Sequence, residues 1–207
     1  MNTEQPLEYN RYFHIYNRGI NGTPLFKTKA DYTSFLQKYS DYIEPVAETF
    51  AWCLMGNHFH LLVRILSEDE IGFIKPKENE TRTFKVKKKY DPTKQFSHLF
   101  NSHAKAFNEH YNRTGGLFET PFRRVKVTNE SYFKELVFYI HYNPVKHGFV
   151  QDMIEYSWSS YLSIISVKPS RLSREKVVGW FNSQSDFIEF HKRNPDEMDF
   201  APFDLDS

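Results

Sequence analysis

The sequence predicts an α+β fold built on an antiparallel sheet, and three observations support this. The chain has 207 residues, 17% of them aromatic, which is enough for one sizeable domain with a large core. Short stretches of alternating apolar and polar residues indicate strands, and stretches with helical spacing lie between them. The resulting order, β, α, β, β, α, β and a further helix, is the ferredoxin-like pattern. We therefore expect helices on one face of the sheet and a C-terminal helical appendage.

The first part of the chain is predicted to form two strand regions around one helix. Residues 11–18 alternate large apolar and polar side chains, which is typical of a strand. Residues 29–43 have apolar side chains at helical spacing, and Pro45 ends that helix. Residues 46–65 then indicate a hairpin whose turn or bulge lies at Gly56-Asn57.

The rest of the chain is predicted to continue with alternating connections, helices and one strand. We assign residues 1–165 to one domain, and residues 166–207 to the appendage with an acidic tail. The tail, from Asp196 to Asp206, is either disordered or a lid on a basic surface. The remaining predicted elements are a long polar connection over 67–94, a helix over 94–111, a strand over 117–127, a helix over about 129–142 that Pro144 ends, and helices near 172–181 and 184–192.

The charge distribution is uneven, although the net charge is only +1. Residues 81–126 contain 11 basic and 3 acidic residues. A basic sector of this kind is the expected footprint for a nucleic-acid backbone. The alternative is that the lysines at 85 and 87–89 form a solvated loop.

Cysteine content and hydropathy predict a cytoplasmic protein. Cys53 is the only cysteine, which excludes an intramolecular disulfide and a cysteine-based zinc site. No apolar run is long enough to span a bilayer, and the polar start of the chain does not resemble a signal peptide. We expect a soluble, intracellular protein without membrane contact.

Two histidines interrupt the second strand of the predicted hairpin. In a strand, His58 and His60 share one face, while Phe59 and Leu61 share the other. Neutral imidazole is the commonest metal ligand in proteins. The pair is therefore a candidate for two ligands of one metal ion, and the alternative is that both are surface or satisfied core histidines.

A helix far downstream carries a candidate nucleophile. Tyr139 and Asn143 are four residues apart and share one helix face. If His58, His60 and Asn143 hold one divalent cation, the Tyr139 phenolate can attack a phosphate that the cation polarises. A phenol has a pKa of about 10, so the ionised form needs nearby positive charge.

Alternatives remain for these residues. Tyr142 is a rival nucleophile, but its partner four residues on lies beyond Pro144. Asn143 is equally suited to be the helix C-cap before proline. His141 points away from Tyr139 on a helix, and His14 has no assigned role because it can lie beside the site or pair with a backbone group.

Basic residues on the predicted strands are candidates for DNA contacts. Phosphate contact is the functional interpretation, and surface ion pairing with Glu119 or Glu130 is the alternative. The candidate DNA-binding residues are Arg18, Arg123, Arg124 and Lys126.

Taken in order, these motifs resemble a known family over roughly residues 8–165. The chain is similar to the single-tyrosine HUH transposases of the insertion-sequence-200-like superfamily, and specifically to the REP-associated tyrosine transposases. The whole set of matching segments, in this order, indicates the family more specifically than any single segment does. The matching segments are Tyr12–Gly19, Met55–Val63, Gly115–Phe118, Phe122–Arg124, Tyr139–Val145 and Tyr156–Tyr161.

The resemblance implies cleavage and rejoining of single-stranded DNA beside hairpins, with a 5′-phosphotyrosine intermediate and a free 3′-hydroxyl. It assigns the metal-ligand pair to His58 and His60, the nucleophile to Tyr139 and the third ligand to Asn143. It further implies Mg²⁺ or Mn²⁺ as cofactor, a monomer or homodimer, and a bacterial, nucleoid-associated location. Two departures are the short amide of Asn143, where some relatives have Gln or Glu, and Met55, where others have an acidic residue.

Two other functions are compatible with parts of the pattern. A catalytically idle hairpin-DNA-binding regulatory protein would keep the surface and lose a site residue, yet Tyr139 and both histidines are present. A hydrolase of the amidohydrolase barrel type also uses a His-x-His pair. That barrel needs many βα units, which 207 residues in this order do not supply.

Overall fold

A computed structural model describes residues 6–73, 88–200 and 203. Within them, four strands form one sheet in the order β2-β3-β1-β4, and each neighbouring pair is antiparallel. This order and the surrounding helices confirm the predicted α+β, ferredoxin-like class. The strands are β1 (Tyr12–Arg18), β2 (Ala47–Leu54), β3 (His58–Ile65) and β4 (Arg123–Val127).

Side-chain caps fix the starts of the long helices. Asp31 forms a capping box with Thr28 at the start of the first helix, and the Asn129 side chain accepts a hydrogen bond from the backbone N–H of Tyr132. The helices are α1 (Lys29–Ile43), α2 (Pro92–His110), α3 (Glu130–Lys146), α4 (Tyr161–Ile165), α5 (Arg174–Trp180) and α6 (Gln184–Phe190).

The helices cover both faces of the sheet, whereas the sequence predicted one face. Helices α1 and α2 share a core with Phe13, Phe59 and Leu61. Helix α3 packs on the opposite face, in a second core that contains Leu62 and Phe133. The central strands are therefore buried on both sides: in β3, all residues but one are buried.

Helix α3 is longer than predicted and passes through Pro144 to Lys146. Proline lacks the N–H donor and crowds the carbonyl four residues before it, but the helical hydrogen bonding resumes beyond it, where the backbone N–H of His147 donates to the Asn143 carbonyl at 3.0 Å. The C-cap is His147, so the interpretation of Asn143 as the cap is wrong. Strand β4 is shorter than the predicted strand over 117–127 and begins only at Arg123.

The C-terminal segment packs against the rest of the chain. Val177, Phe181, Phe187 and Phe203 belong to the same core as α3. Backbone hydrogen bonds from the stretch just before this segment also cover the edge strand β2, including one from Ser160 N–H to the Trp52 carbonyl at 2.8 Å.

The division into domains at residue 165 stays a prediction. Among the described helices, none is long and apolar enough to cross a membrane. Lys85 and Lys87 of the predicted basic sector lie outside the described residues.

Candidate active site

The candidate site lies where α3 crosses the start of β3. His58 and His60 are the first and third residues of β3 and face α3. Tyr139 lies on the α3 side, with its ring centroid 5.3 Å from that of His60 in an edge-to-face arrangement. Strand alternation and helical periodicity therefore bring the predicted residues together within one chain.

Asn143 and His58 meet directly. Asn143 Oδ1 lies 3.0 Å from His58 Nε2, and Asn57 Oδ1 lies 2.8 Å from His58 Nδ1. Both oxygens can accept a proton from the ring, and neutral His58 carries only one. Donation to Asn57 leaves a lone pair on Nε2 for a cation that would also bind Asn143 Oδ1, whereas donation to Asn143 makes the 3.0 Å contact an ordinary hydrogen bond.

His60 is held by a third histidine. Its Nδ1 lies 2.9 Å from Nε2 of His14, and both side chains are fully buried. On the other side of the ring, His60 Nε2 has no hydrogen-bond partner among the described residues, and the same is true of Asn143 Nδ2 and His14 Nδ1. Buried polar atoms without partners are rare, and they point to an absent ligand or to a functional role.

The donor atoms fit a divalent cation. His58 Nε2, His60 Nε2 and Asn143 Oδ1 are two imidazole nitrogens and one amide oxygen, which Mg²⁺ and Mn²⁺ accept as ligands. The 3.0 Å between His58 Nε2 and Asn143 Oδ1 equals the spacing of two adjacent ligands at about 2.1 Å from one ion. No group of three His, Cys, Asp or Glu side chains suited to a metal occurs in the described part of the chain. The amide of Asn143 is therefore needed to complete this set.

Burial keeps the inner histidines neutral. It lowers the pKa of His14 to about 3. It also lowers the pKa of His60 well below its usual value, with further lowering by the charges of His14 and His58. His60 therefore keeps a lone pair for a metal ion at neutral pH.

Two residues at the end of α3 belong to the site, although sequence reasoning missed them. The Lys146 ammonium lies 5.5 Å from the centre of the Tyr139 ring. The exposed His147 ring lies 5.1 Å from that of His58. Helical spacing from Tyr139 and Asn143 was the available signal, but it is visible only if the helix continues through Pro144.

Tyr139 is covered by the C-terminal segment and is only 1% exposed. The rings of Phe200 and Phe203 lie 5.5 and 5.4 Å from its ring. These described tail residues therefore pack on α3 through apolar contacts. The sequence predicted that the tail is either disordered or a lid on the basic surface. Neither prediction placed tail residues on Tyr139.

The rival residues lie elsewhere. Tyr142 packs against Phe138 and Phe200, at ring distances of 5.5 and 5.9 Å. His141 faces away from the site: its Nδ1 lies 3.0 Å from Nε2 of His191, and its Nε2 lies 2.8 Å from Ser160 Oγ. The geometry therefore favours Tyr139 over Tyr142 as the residue facing the histidines.

Only two of the four candidate DNA-binding residues share the face of the histidines. Cross-strand pairs lie on the same face, and Arg18 pairs with His58 whereas Arg123 pairs with Tyr16. With Tyr16, Asn17 and Glu119, these two arginines line a polar cavity of about 210 Å³. Arg18 donates to Glu119 at 2.7 Å, as the ion-pair alternative predicted.

The other two basic residues point to the opposite face. Arg124 pairs with Ile15 in the β1–β4 ladder, and its guanidinium lies 4.8 Å from the centre of the Phe122 ring. Lys126 pairs with Phe13, and its ammonium contacts Glu8 at 2.9 Å. DNA contacts by Arg124 and Lys126 would therefore lie on the side of the sheet opposite Tyr139.

The structure thus has two strand histidines beside a helix tyrosine on one antiparallel sheet, which is the arrangement that the sequence predicted. Comparison with known proteins confirms the resemblance. The chain is 23% identical over 142 residues to a REP-associated tyrosine transposase of Haemophilus influenzae, covering 65% of this chain and 73% of that protein. It is also similar to the solved structure of a REP-associated tyrosine transposase bound to a REP hairpin, with a TM-score of 0.56, 16% identity and coverage of 82% and 88% of the two chains. No family model matches the chain.

Proposed function

We propose that this protein is a metal-dependent single-stranded DNA endonuclease and strand transferase that acts beside DNA hairpins. The observation that carries the proposal is the convergence of Tyr139 with His58, His60 and Asn143 in one buried cluster. The similar solved structure, a REP-associated tyrosine transposase bound to a REP hairpin, supports hairpin DNA as the substrate.

In the proposed reaction, the Tyr139 oxygen attacks the scissile phosphorus. A bond forms between this oxygen and phosphorus, and the bond from phosphorus to the 3′-oxygen breaks. The 5′ phosphate stays on Tyr139, the proton of the phenol passes to solvent, and the leaving 3′-oxygen takes a proton from solvent. Attack by a 3′-hydroxyl on the phosphotyrosine reverses the step, so rejoining needs no external energy source.

The residues of this chain have separate tasks in that reaction. His58, His60 and Asn143 would hold a divalent cation such as Mg²⁺ or Mn²⁺, which supplies charge stabilisation at the phosphate when bound. The Lys146 ammonium, beside the Tyr139 ring, stabilises negative charge on the phenol. Arg18 and Arg123 lie on the same face and would position the phosphate backbone.

The test is covalent capture of DNA. Labelled single-stranded hairpin oligonucleotides are incubated with the protein and Mn²⁺, and the products are separated on a denaturing gel. We expect an adduct that peptide mapping places on Tyr139, and Tyr139→Phe should abolish it while hairpin binding changes little. Tyr142→Phe is the matched control, because it removes a hydroxyl from the same helix outside the cluster. An adduct lost in Tyr142→Phe instead would refute the assignment.

The second candidate function is a hairpin-DNA-binding regulatory protein without catalysis. The burial of Tyr139 beneath Phe200 and Phe203 favours it, because a covered hydroxyl cannot reach DNA. Tight hairpin binding without an adduct, across a varied hairpin set, would support this second function. The salt dependence of binding reports phosphate contacts in either case.

A further inference from the structure

The geometry points to His14 as a positioning residue that fixes the tautomer of His60 for metal binding. This inference rests on the proposed function, because it assumes that His60 binds a cation through Nε2. Its starting point is the 2.9 Å contact between His14 Nε2 and His60 Nδ1, in two nearly parallel rings 5.1 Å apart.

One proton lies between these two nitrogens, and its position decides what His60 can do. If His60 Nδ1 carries the proton and donates to His14, then neutral His60 has a lone pair on Nε2. If His14 Nε2 carries it instead, the neutral His60 is protonated on Nε2 and cannot bind a metal there. Metal binding therefore requires His14 to act as the acceptor.

The arrangement has a cost that packing alone does not explain. As acceptor, His14 carries its own proton on Nδ1, which is buried and has no partner among the described residues. The pocket around it is aromatic, with Tyr16, Tyr139 and Phe203 rings at 4.6, 6.5 and 6.5 Å. A phenylalanine would fit such surroundings without a buried unpaired N–H. The histidine is therefore needed for its acceptor atom.

Metal ligands in proteins are commonly oriented by an acceptor on the second ring nitrogen, and that acceptor is usually a carboxylate or a carbonyl. Here the acceptor is a second imidazole on the neighbouring strand β1. Residue 14 is diagonal to His60 in the ladder, in which Tyr16 directly opposes His60. The strand register therefore sets the distance between the two rings.

Two substitutions separate positioning from packing. His14→Phe keeps an aromatic ring without an acceptor, whereas His14→Gln places an amide oxygen near the position of Nε2. We expect the affinity of the DNA-free protein for Mn²⁺, measured by calorimetry, to fall roughly 10- to 100-fold in His14→Phe. It should be largely restored in His14→Gln. Tyr12→Phe, a change on the same strand face at a ring that packs on Phe50 outside the site, should leave it unchanged.

Nitrogen NMR of histidine-labelled wild-type protein makes the test independent of whether Phe is tolerated. With saturating Mg²⁺, His60 should be protonated on Nδ1 and show a nitrogen–nitrogen coupling to His14 across the hydrogen bond. A His14→Phe variant that binds Mn²⁺ like the wild type would overturn the inference alone, whereas a His60 protonated on Nε2 would also remove His60 from the proposed metal site. A wild-type protein that binds neither ion would overturn the proposed metal site and this inference with it.

Discussion

At the scale of single residues, Lys146 offers a test of the electrostatics at Tyr139. Its ammonium lies 5.5 Å from the centre of the ring and stabilises a developing phenolate. We predict that Lys146→Gln slows adduct formation roughly tenfold, since the partly exposed site screens the interaction. The affinity for Mn²⁺ should not fall, because Lys146 is not one of the proposed ligands and its positive charge acts against a second cation at His60.

The matched control for this prediction is Lys134→Gln. Lys134 lies on the same helix but pairs with Glu130 on the surface. Rates of adduct formation measured in single-turnover reactions distinguish the two lysines. If both substitutions slow the reaction equally, the effect comes from net charge or DNA affinity and not from Lys146 beside Tyr139.

The residues of the candidate site were predictable to the extent that local periodicity fixes side-chain direction. His58 and His60 are two apart on a strand, and Tyr139 and Asn143 are four apart on a helix. The role of His14 depends on the register between two strands, which sequence spacing does not reveal. Lys146 and His147 were missed for another reason, because Pro144 was taken to end the helix.

At the scale of elements, two phenylalanines near the C-terminus cover Tyr139. Phe200 and Phe203 pack on its ring, and Tyr139 has 1% exposure in this arrangement. We predict that replacing both phenylalanines with alanine exposes the phenol and increases both its nitration by tetranitromethane and its adduct formation. Mass spectrometry of the Tyr139 peptide measures the first effect.

Phe190→Ala is the control for that prediction. Phe190 packs against Phe138 and Phe181 in the same C-terminal region, at ring distances of 6.2 and 5.2 Å. Its loss removes one aromatic ring, where the double substitution removes two, and it does so without uncovering Tyr139. Equal nitration in Phe190→Ala would mean that general loosening of the C-terminal helices, and not the local cover, governs access.

His191, at the end of α6, is buried and contacts His141 of α3. Its burial makes the stability of the fold depend on pH. Burial lowers the pKa of His191 to about 4. An unfolded chain has an ordinary histidine pKa of about 6.5, so it binds more protons than the folded chain between these values. Stability is therefore full above about pH 6.5 and falls as the pH drops, by up to about 1.4 kcal/mol per pH unit for this residue.

We predict that the urea midpoint of unfolding, followed by circular dichroism, decreases from pH 7.5 to 5.5. His191→Gln should make this decrease smaller, because one buried neutral histidine is removed. His98→Gln, which changes an exposed histidine, is the control and should leave the pH dependence of the midpoint as it is. A midpoint that is independent of pH in the wild type would contradict the prediction.

At the scale of the whole molecule, the class of fold followed from the order of elements, but the distribution of helices did not. The order β, α, β, β, α, β fixes an antiparallel sheet with few possible topologies. The face that each helix covers depends on which strand face is apolar. In β3 the face that carries His58, His60 and Arg64 is largely polar in sequence, and yet almost all of it is buried, so alternation assigns a helix to only one of the two covered faces.

The position of α3 also determines whether one chain can form a complete site. Tyr139 and Asn143 of α3 reach His60 and His58 of the same chain. We predict that an equimolar mixture of His58→Ala and Tyr139→Phe proteins forms no adduct, because each chain then has an incomplete site. Adduct formation on denaturing gels, with the variants purified separately, measures this.

The contrary outcome is equally informative. If two chains exchange α3, a mixed dimer combines the intact histidines of one chain with the intact tyrosine of the other, and only one of its two sites is restored. Since half of randomly paired dimers are mixed, activity would return to about a quarter of the wild-type level. A control mixture of Tyr139→Phe with the double variant, His58→Ala and Tyr139→Phe together, contains no intact tyrosine and should stay inactive in both cases. Recovery in the first mixture alone would therefore assign the site to two chains, and its absence agrees with the single-chain arrangement that the structure shows.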